Sequence, residues 1–492
     1  MSRILAIDQG TTGTRAIVYD RCGREVASAY EEFPQLFPRP GWVEHDPEAI
    51  WRSVQRTIQK VLGRVAGASI AAVGITNQRE TTVIWDRKSG RPVYNAIVWQ
   101  CRRTARRCRE LREEDRGTVS LIRRRTGLPV DPYFSATKAE WILDRGGFRA
   151  RAKAGRLAFG TADAWVLWKL TGGRSHATDF TNASRTMLFD IDRRRWDRGL
   201  LDLFGVPEAV LPEVRPSSGE FGRTVRLGRL PAGIPITGMA GDQQAALFGQ
   251  ACFAPGTLKN TYGTGAFIIL NTGRRRVTSR HGLITTLACG PAGEPVYALE
   301  GSIFVAGAAV QWLRDQLGLL RTSAESEAAA EAVKDNAGVY FVPAFVGLGA
   351  PYWDAEARGT VVGLTRGADR RHLVRAALEA MAYSTRDVLE VMRRESGLRI
   401  RELRVDGGAA SNDFLCRFQA SILGLPVLRP RTVETTALGA AYLAGLGAGF
   451  WSGTDEISRF WALDRKFRPS LDKPRADGLY QGWRDAVRKT QA

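Results

Sequence analysis

The sequence predicts an α/β protein of two domains with related architecture, and three observations carry that expectation. Candidate strands and helices alternate along the chain, a Gly/Thr-rich hairpin near the start recurs about half a chain later, and 492 residues are too many for one core. The first hairpin is "RILAIDQGTTGTRAIVYD", residues 3–20: an apolar run, a tight polar loop beside one aspartate, and a second apolar run. Short β-branched runs place strands at residues 4–7, 16–19, 72–75, 81–85 and 96–99. Helical spacing of apolar residues places helices at 47–62, 136–144 and 164–170. The pattern then restarts. After the helix-like "QQAALFGQ" (243–250) and a Pro-Gly turn at 255–256, "TLKNTYGTGAFIILN" (257–271) is again strand, Gly/Thr loop, strand. One domain is therefore expected over residues 1–249 and the other over 250–492. No low-complexity linker separates them, so the halves are expected to pack directly and hinge.

Composition narrows the function classes. Hydrophobic residues make up 44% of the chain and charged residues 25%, the balance of a soluble globular protein. No run of eighteen apolar residues could span a bilayer, and the start passes from one Arg into a strand without a signal peptide's apolar region. A cytoplasmic location without a membrane span is expected. Six cysteines (Cys22, Cys101, Cys108, Cys252, Cys289, Cys416) show no CxxC and no paired Cys/His spacing, which points away from a zinc site or a disulfide framework. A net charge of +20 would suggest a nucleic-acid partner. The excess is nearly all Arg in short clusters, such as "CRRTARRCRE" (101–110) and the triple Arg at 123, 193 and 274, none interleaved with stacking aromatics. A solvated basic surface that attracts anionic small molecules fits better than a nucleic-acid groove.

The opening loop admits a chemical reading and a structural one. Backbone N–H groups at a tight Gly/Thr turn form a concave nest, and threonine hydroxyls add donors, so several hydrogen bonds can hold phosphate oxygens at once. Asp8, at the end of the first strand, has the place and the hard oxygen donors to hold Mg²⁺, chiefly through water. An ordinary hairpin with an Asx-type turn is the alternative for one such loop taken alone. The second Gly/Thr hairpin favours the phosphate reading, since two such loops facing each other would clamp a nucleoside triphosphate. Other nucleotide signatures are missing: no Gly is followed by Lys, no GxGxxG follows a strand, and there is no DFG or HRD. What remains is the two-hairpin clamp of actin- and hexokinase-like (ribonuclease H-like) domains, with a nucleotide cleft between them.

A dozen motifs, the two hairpin loops among them, stand in order along nearly the whole chain. They are "DQGTT" at 8, "GWVEHDP" at 41, "GITNQRETT" at 74, "NAIVWQCRRT" at 95, "DPYFS" at 131, "TNASRTM" at 181, "GDQQAALFGQ" at 241, "NTYGTG" at 260, "YALEG" at 297, "VPAFVGLGAPYWD" at 342, "GLTRG" at 363 and "LRVDGGA" at 403. In these the chain resembles the FGGY family of carbohydrate kinases, whose two signature regions are recognisable at 133–144 and 359–379. The resemblance implies ATP-dependent phosphorylation of glycerol to sn-glycerol 3-phosphate with release of ADP, with "NQRE" and "GDQQ" marking glycerol rather than a sugar. It also implies Mg²⁺ as cofactor and a homo-oligomer, dimer or tetramer. A kinase of another polyol or ketose is the alternative within the family. A non-catalytic actin-like ATPase is a third reading, which would keep the hairpins without needing "GDQQ".

Glycerol has three hydroxyls and no charge, so a specific pocket needs paired donors and acceptors and an apolar wall. Arg79 and Glu80 supply a donor and an acceptor side by side, or else form a surface salt bridge. Trp99 and Phe267 would make the wall, or else belong to the core, and Tyr133 adds a hydroxyl. By the matching motifs all five resemble the family's glycerol-binding residues, completed by Asp242 and Gln243. Asp242 is expected to act as general base on the attacking hydroxyl and to stand near Mg²⁺; a plain helix N-cap is the alternative. For the nucleotide, the resemblance implies Thr11, Thr12, Gly13 and Arg15 on the phosphates from the first domain and Thr264 from the second. Gly307 and Gln311 would lie near the nucleotide, close helix packing being the alternative for both, and Gly408 and Asn412 resemble the adenosine-binding turn.

The chain departs from the family pattern in places. The first loop reads TTGT where TTSS is common, so Gly13 acts through its backbone and one hydroxyl contact is lost. Ala136 stands where Gly is common, "GRLPAG" (228–233) lacks the Gly-Thr-Arg with which some members bind fructose 1,6-bisphosphate, and no His lies between His176 and His281 to be phosphorylated.

Overall fold

The structure, a computed structural model, describes residues 2–354 and 356–491. It divides into two compact units: Met1–Phe253 with Thr285–Tyr297 and Thr436–Phe460, and Ala254–Ile284 with Ala298–Thr435 and Trp461–Ala492. This differs from a single cut near residue 250, because two later segments return to the first unit. The helix Thr435–Gly447 explains the larger of them. Its sequence, TTALGAAYLAGLG, is small-residue rich and lies against strand glycines: a Cβ on Gly74 would stand 2.2 Å from the Ala440 carbonyl oxygen, and one on Gly238 2.3 Å from the Ala444 nitrogen. Side chains on either strand would lift the helix away.

In the first unit, β1 (Arg3–Gln9), β2 (Gly13–Tyr19) and β3 (Glu25–Glu32) form an antiparallel meander. The strand β4 (Ile70–Asn77) pairs parallel with β1, β6 (Pro235–Gly241) pairs parallel with β4, and β5 (Ser218–Arg223) closes the edge, giving the order β5-β6-β4-β1-β2-β3. The helix α1 (Pro47–Leu62) has the predicted bounds. Asp46 caps it by accepting from the Glu48 N–H, a proline opens it, and Ile50, Val54, Ile58 and Val61 form the buried stripe that packs on the sheet. The helices α2 (Ser135–Leu143), α3 (Ala162–Leu170) and α4 (Asp242–Gly249) follow the predicted pattern within a residue or two.

Two strand expectations fail at their ends. The run at 81–85 is strand over Val83–Asp86, with Thr82 forming a bridge to Ile97, and the run at 96–99 is strand only over Ala96–Ile97. The chain turns at once, the Cys101 N–H donating to the Val98 carbonyl, while the Trp99 N–H goes to the Thr81 hydroxyl rather than to a ladder. In the second unit, β7 (Leu258–Tyr262) and β8 (Ala266–Gly273) form the second hairpin. With β9 (Leu403–Asp406), β10 (Val427–Pro430) and β11 (Leu463–Phe467) they run β8-β7-β9-β10-β11. Three helices pack beside them: α5 (Gly307–Asp315), the long α6 (Arg370–Ser396) and α7 (Asp413–Leu423).

Candidate active site

The end of β4 carries the polar cluster of the first unit. Asn77 and Asn182 exchange amide hydrogen bonds at 3.0 Å in each direction, and the Gln78 N–H donates to the Gln9 carbonyl at 2.7 Å, so the segment leaves the sheet on a fixed base. Arg79 is then 2% exposed, which excludes the surface salt bridge considered from sequence. Its Nη1 donates to Gln244 Oε1 at 3.2 Å, and its Nε lies 3.3 Å from Asp242 Oδ1 and 3.9 Å from Glu80 Oε1. The Arg79 stem runs against Gly241, where a Cβ would meet Arg79 Cγ and Cδ at 2.7 Å. Only glycine leaves room for the guanidinium to reach the start of α4.

Glu80 holds φ +60, a left-handed backbone rare for a residue with a side chain. Three donors fix it there: the hydroxyls of Ser135 and Thr82, each at 3.1 Å from its carbonyl oxygen, and Lys138 Nζ at 3.4 Å. Its carboxylate receives Arg185 Nε at 2.5 Å. Arg185 is fully buried, with its guanidinium 5.4 Å from the Tyr133 ring centre and 5.3 Å from that of Phe134. Lys138 Nζ also donates to the Tyr133 carbonyl at 2.6 Å, and burial pushes its pKa down to about 8. Sequence reasoning singled out neither Arg185 nor Lys138. Both lie within motifs that were recognised, but a charged residue in a helical or loop segment carries no local mark of burial.

Trp99 links this cluster to the first loop. Its ring meets that of Tyr133 edge-on at 5.6 Å, and its Nε1 donates to Thr11 Oγ1 at 2.9 Å. The structure therefore brings Arg79, Glu80, Trp99, Tyr133 and Asp242 into one connected network, with Gln243 buried beside Asp242. Phe267 stands half-buried on β8 of the second unit. The capping alternative for Asp242 is corrected: Gly241 is the N-cap, and Asp242 is the first residue of α4. Its Oδ1 accepts from the Gln243 N–H at 2.7 Å, and its charge lies at the positive end of the helix. The side chain is 29% exposed, open enough to meet a ligand.

The first loop is closed by the Gly10 N–H on the Gly13 carbonyl at 2.9 Å and braced by Gln35 Nε2 on the Thr11 carbonyl at 2.5 Å. Thr11 is half-buried, Thr12 exposed and Gly13 buried. Strand register places Thr76, Asp8, Arg15 and Tyr30 in one row across β4, β1, β2 and β3, so all four side chains share a face. In the second unit, a cavity of 480 Å³ is lined by Thr264, Gly307, Gln311, Gly408 and Asn412, together with Ser326, Leu378 and Met381, which sequence reasoning missed. Volume and mixed lining suit a nucleoside. A Cβ on Gly408 would meet nothing within 4 Å, so its missing side chain leaves the cavity wall open; one on Gly307 would stand 2.6 Å from the Gly263 carbonyl, which gives that glycine a packing role as well. Asn412 caps α7 by accepting from the Leu415 N–H at 2.9 Å.

Comparison with known proteins decides the family. Residues 3–249 match the N-terminal domain, and 258–448 the C-terminal domain, of the FGGY family of carbohydrate kinases. The chain belongs to that family. This FGGY kinase is 58% identical to a glycerol kinase of Symbiobacterium thermophilum over 99% of its own length and 98% of the relative's. It is 56% identical to glycerol kinase 2 of Thermotoga maritima over 100% and 99% of the two chains. Among solved structures, a Plasmodium falciparum glycerol kinase with ADP superposes with a TM-score of 0.92 at 36% identity, covering 100% of this chain and 99% of that one. The expected two-domain α/β kinase fold is thereby shown. No helix among the described residues is long and apolar enough to cross a membrane.

Proposed function

We propose that this kinase transfers the γ-phosphoryl group of ATP to a terminal hydroxyl of glycerol, forming sn-glycerol 3-phosphate and ADP. One observation carries the proposal: a buried arginine, two carboxylates and two aromatic rings converge in a single network at the end of β4 and the start of α4. An uncharged triol needs such a mixture. Arg79 donates to its oxygens, Glu80 and Asp242 accept from its hydroxyls, and Trp99 and Phe267 cover its carbon edge. The full-length likeness to glycerol kinases at 56–58% identity supports glycerol over other polyols and ketoses.

Asp242 accepts the proton of the attacking hydroxyl as that oxygen approaches phosphorus in line. Phosphoryl transfer through a loose transition state depends mainly on positioning and charge neutralisation. The loop N–H groups, Thr11, Thr12, Gly13 and Arg15 take the phosphates on the first unit. Thr264, Gly307, Gln311, Gly408 and Asn412 take the nucleotide on the second. The residues present fit a magnesium ion: Asp8 offers a half-buried carboxylate, and beside it in register the buried Thr76 hydroxyl has no hydrogen-bond partner among the described residues. Asp8 and Asp242 would hold Mg²⁺, which neutralises phosphate charge when bound. Among the described residues no group of three His, Cys, Asp or Glu side chains is placed to hold a metal ion. A cytoplasmic location and a homo-oligomer complete the proposal.

The test is Asp242→Asn. The amide keeps the size and the hydrogen bond from the Gln243 N–H but removes the base. Turnover is expected to fall by about 10² to 10⁴-fold, the usual range for general-base catalysis, with nucleotide binding and melting temperature retained. A folded variant keeping half of wild-type turnover would remove Asp242 from the chemical step.

A further inference from the structure

We infer that Tyr30 supplies, from the neighbouring strand, the hydroxyl that the first phosphate loop lacks at position 13. The loop reads TTGT, so residue 13 has no side chain of its own. A Cβ built on Gly13 would lie 2.6 Å from the Tyr30 hydroxyl oxygen and 2.7 Å from its Cζ, so the tip of the phenol occupies the volume in which a side chain at 13 would begin. The same Cβ would stand 2.6 Å from the Glu31 carbonyl oxygen, so a side chain at 13 could not be placed without displacing β3. The glycine and the tyrosine are two halves of one arrangement.

Register explains how a residue seventeen positions away arrives there. Arg15 and Tyr30 are direct partners across β2 and β3, and Asp8 is the partner of Arg15 across β1 and β2, so the three side chains share one face. The Arg15 guanidinium carbon lies 5.4 Å from the Tyr30 ring centre. The ring is thus placed to hold the guanidinium by cation–π attraction while its hydroxyl reaches the loop. Tyr30 is also 44% exposed, whereas a tyrosine retained for packing would bury its ring. A phenol O–H can donate to a phosphate oxygen as a serine O–H does. Tyr30 is therefore a nucleotide-positioning residue, acting both directly on phosphate and through Arg15.

This inference rests on the reading of the loop as a phosphate site, and the experiment separates the two. Tyr30→Phe keeps the ring over Arg15 and removes only the hydroxyl. The expected result is a rise in the KM for ATP of roughly tenfold, the size of one hydrogen bond to a charged group, with the glycerol KM within about twofold of wild type and the melting temperature unchanged. Arg15→Ala is the companion measurement. If Arg15→Ala raises the KM for ATP and Tyr30→Phe leaves it at the wild-type value, the role of Tyr30 is overturned and the phosphate loop stands. If neither variant changes it, the phosphate reading of the loop falls and the inference with it.

Discussion

At the scale of single residues, the site is built from charges that the fold buries. Arg79, Glu80, Arg185 and Lys138 all lie below the surface, a costly arrangement unless each charge is paired and hydrogen-bonded. Arg79 and Arg185 both approach the Glu80 carboxylate, Lys138 donates to the Glu80 and Tyr133 carbonyls, and the Arg79 side chain faces Asp242 rather than solvent. Arg79→Ala should therefore leave glycerol oxygens unpaired. Losing a hydrogen bond that involves a charged group costs roughly 1.5 to 3 kcal/mol, so the glycerol KM should rise tenfold or more, with a smaller change in the KM for ATP. Steady-state kinetics with each substrate varied in turn would check it, and unchanged glycerol kinetics would leave Arg79 as a structural ion-pair partner. The sequence made Arg79, Glu80 and Asp242 legible because each lies in a motif at the end of a strand. It left the burial of Arg79 undecided, because exposure depends on Gly241 and α4, which lie far along the chain. Arg185 was invisible for the same reason, its partner Glu80 being 105 positions away.

At the scale of elements, the two hairpins and α1 could be read directly, since turn chemistry, a cap and an apolar stripe are local signals. The strand at 96–99 was overextended, because what ends it is a hydrogen bond from Trp99 to Thr81, a tertiary event. The start of α3 gives an element-level prediction. Asp163 is buried there, accepting from the Thr178 hydroxyl at 2.5 Å and from the Thr161 hydroxyl, and burial raises its pKa to about 6 from an ordinary value of 3.8. A folded-state pKa above the unfolded one gives a stabilising contribution that is complete below 3.8 and lost as pH rises through about 6. Relative to Asp163→Asn, the wild type should therefore lose about 1.4 kcal/mol of stability between pH 5 and pH 7.5, one pKa unit's worth. Urea unfolding of both proteins at the two pH values would show it. A constant difference across that window would mean that Asp163 stays ionised in the fold.

At the scale of the whole molecule, the polar network and the first loop lie in one unit, and the 480 Å³ cavity lies in the other. The restart of the hairpin pattern made the presence of two related halves legible from sequence. The return of residues 436–460 to the first unit was not, since it depends on a helix whose small residues find glycines on strands hundreds of positions earlier. Whether this molecule phosphorylates glycerol is tested by a substrate panel with product identification. Purified protein with ATP and Mg²⁺ would be offered glycerol, dihydroxyacetone and pentuloses in turn, with ADP release followed and the phosphorylated product identified by phosphorus NMR. The highest kcat/KM is expected for glycerol, with sn-glycerol 3-phosphate as the product. A higher kcat/KM for a ketose, or ADP release without a phosphorylated acceptor, would contradict it.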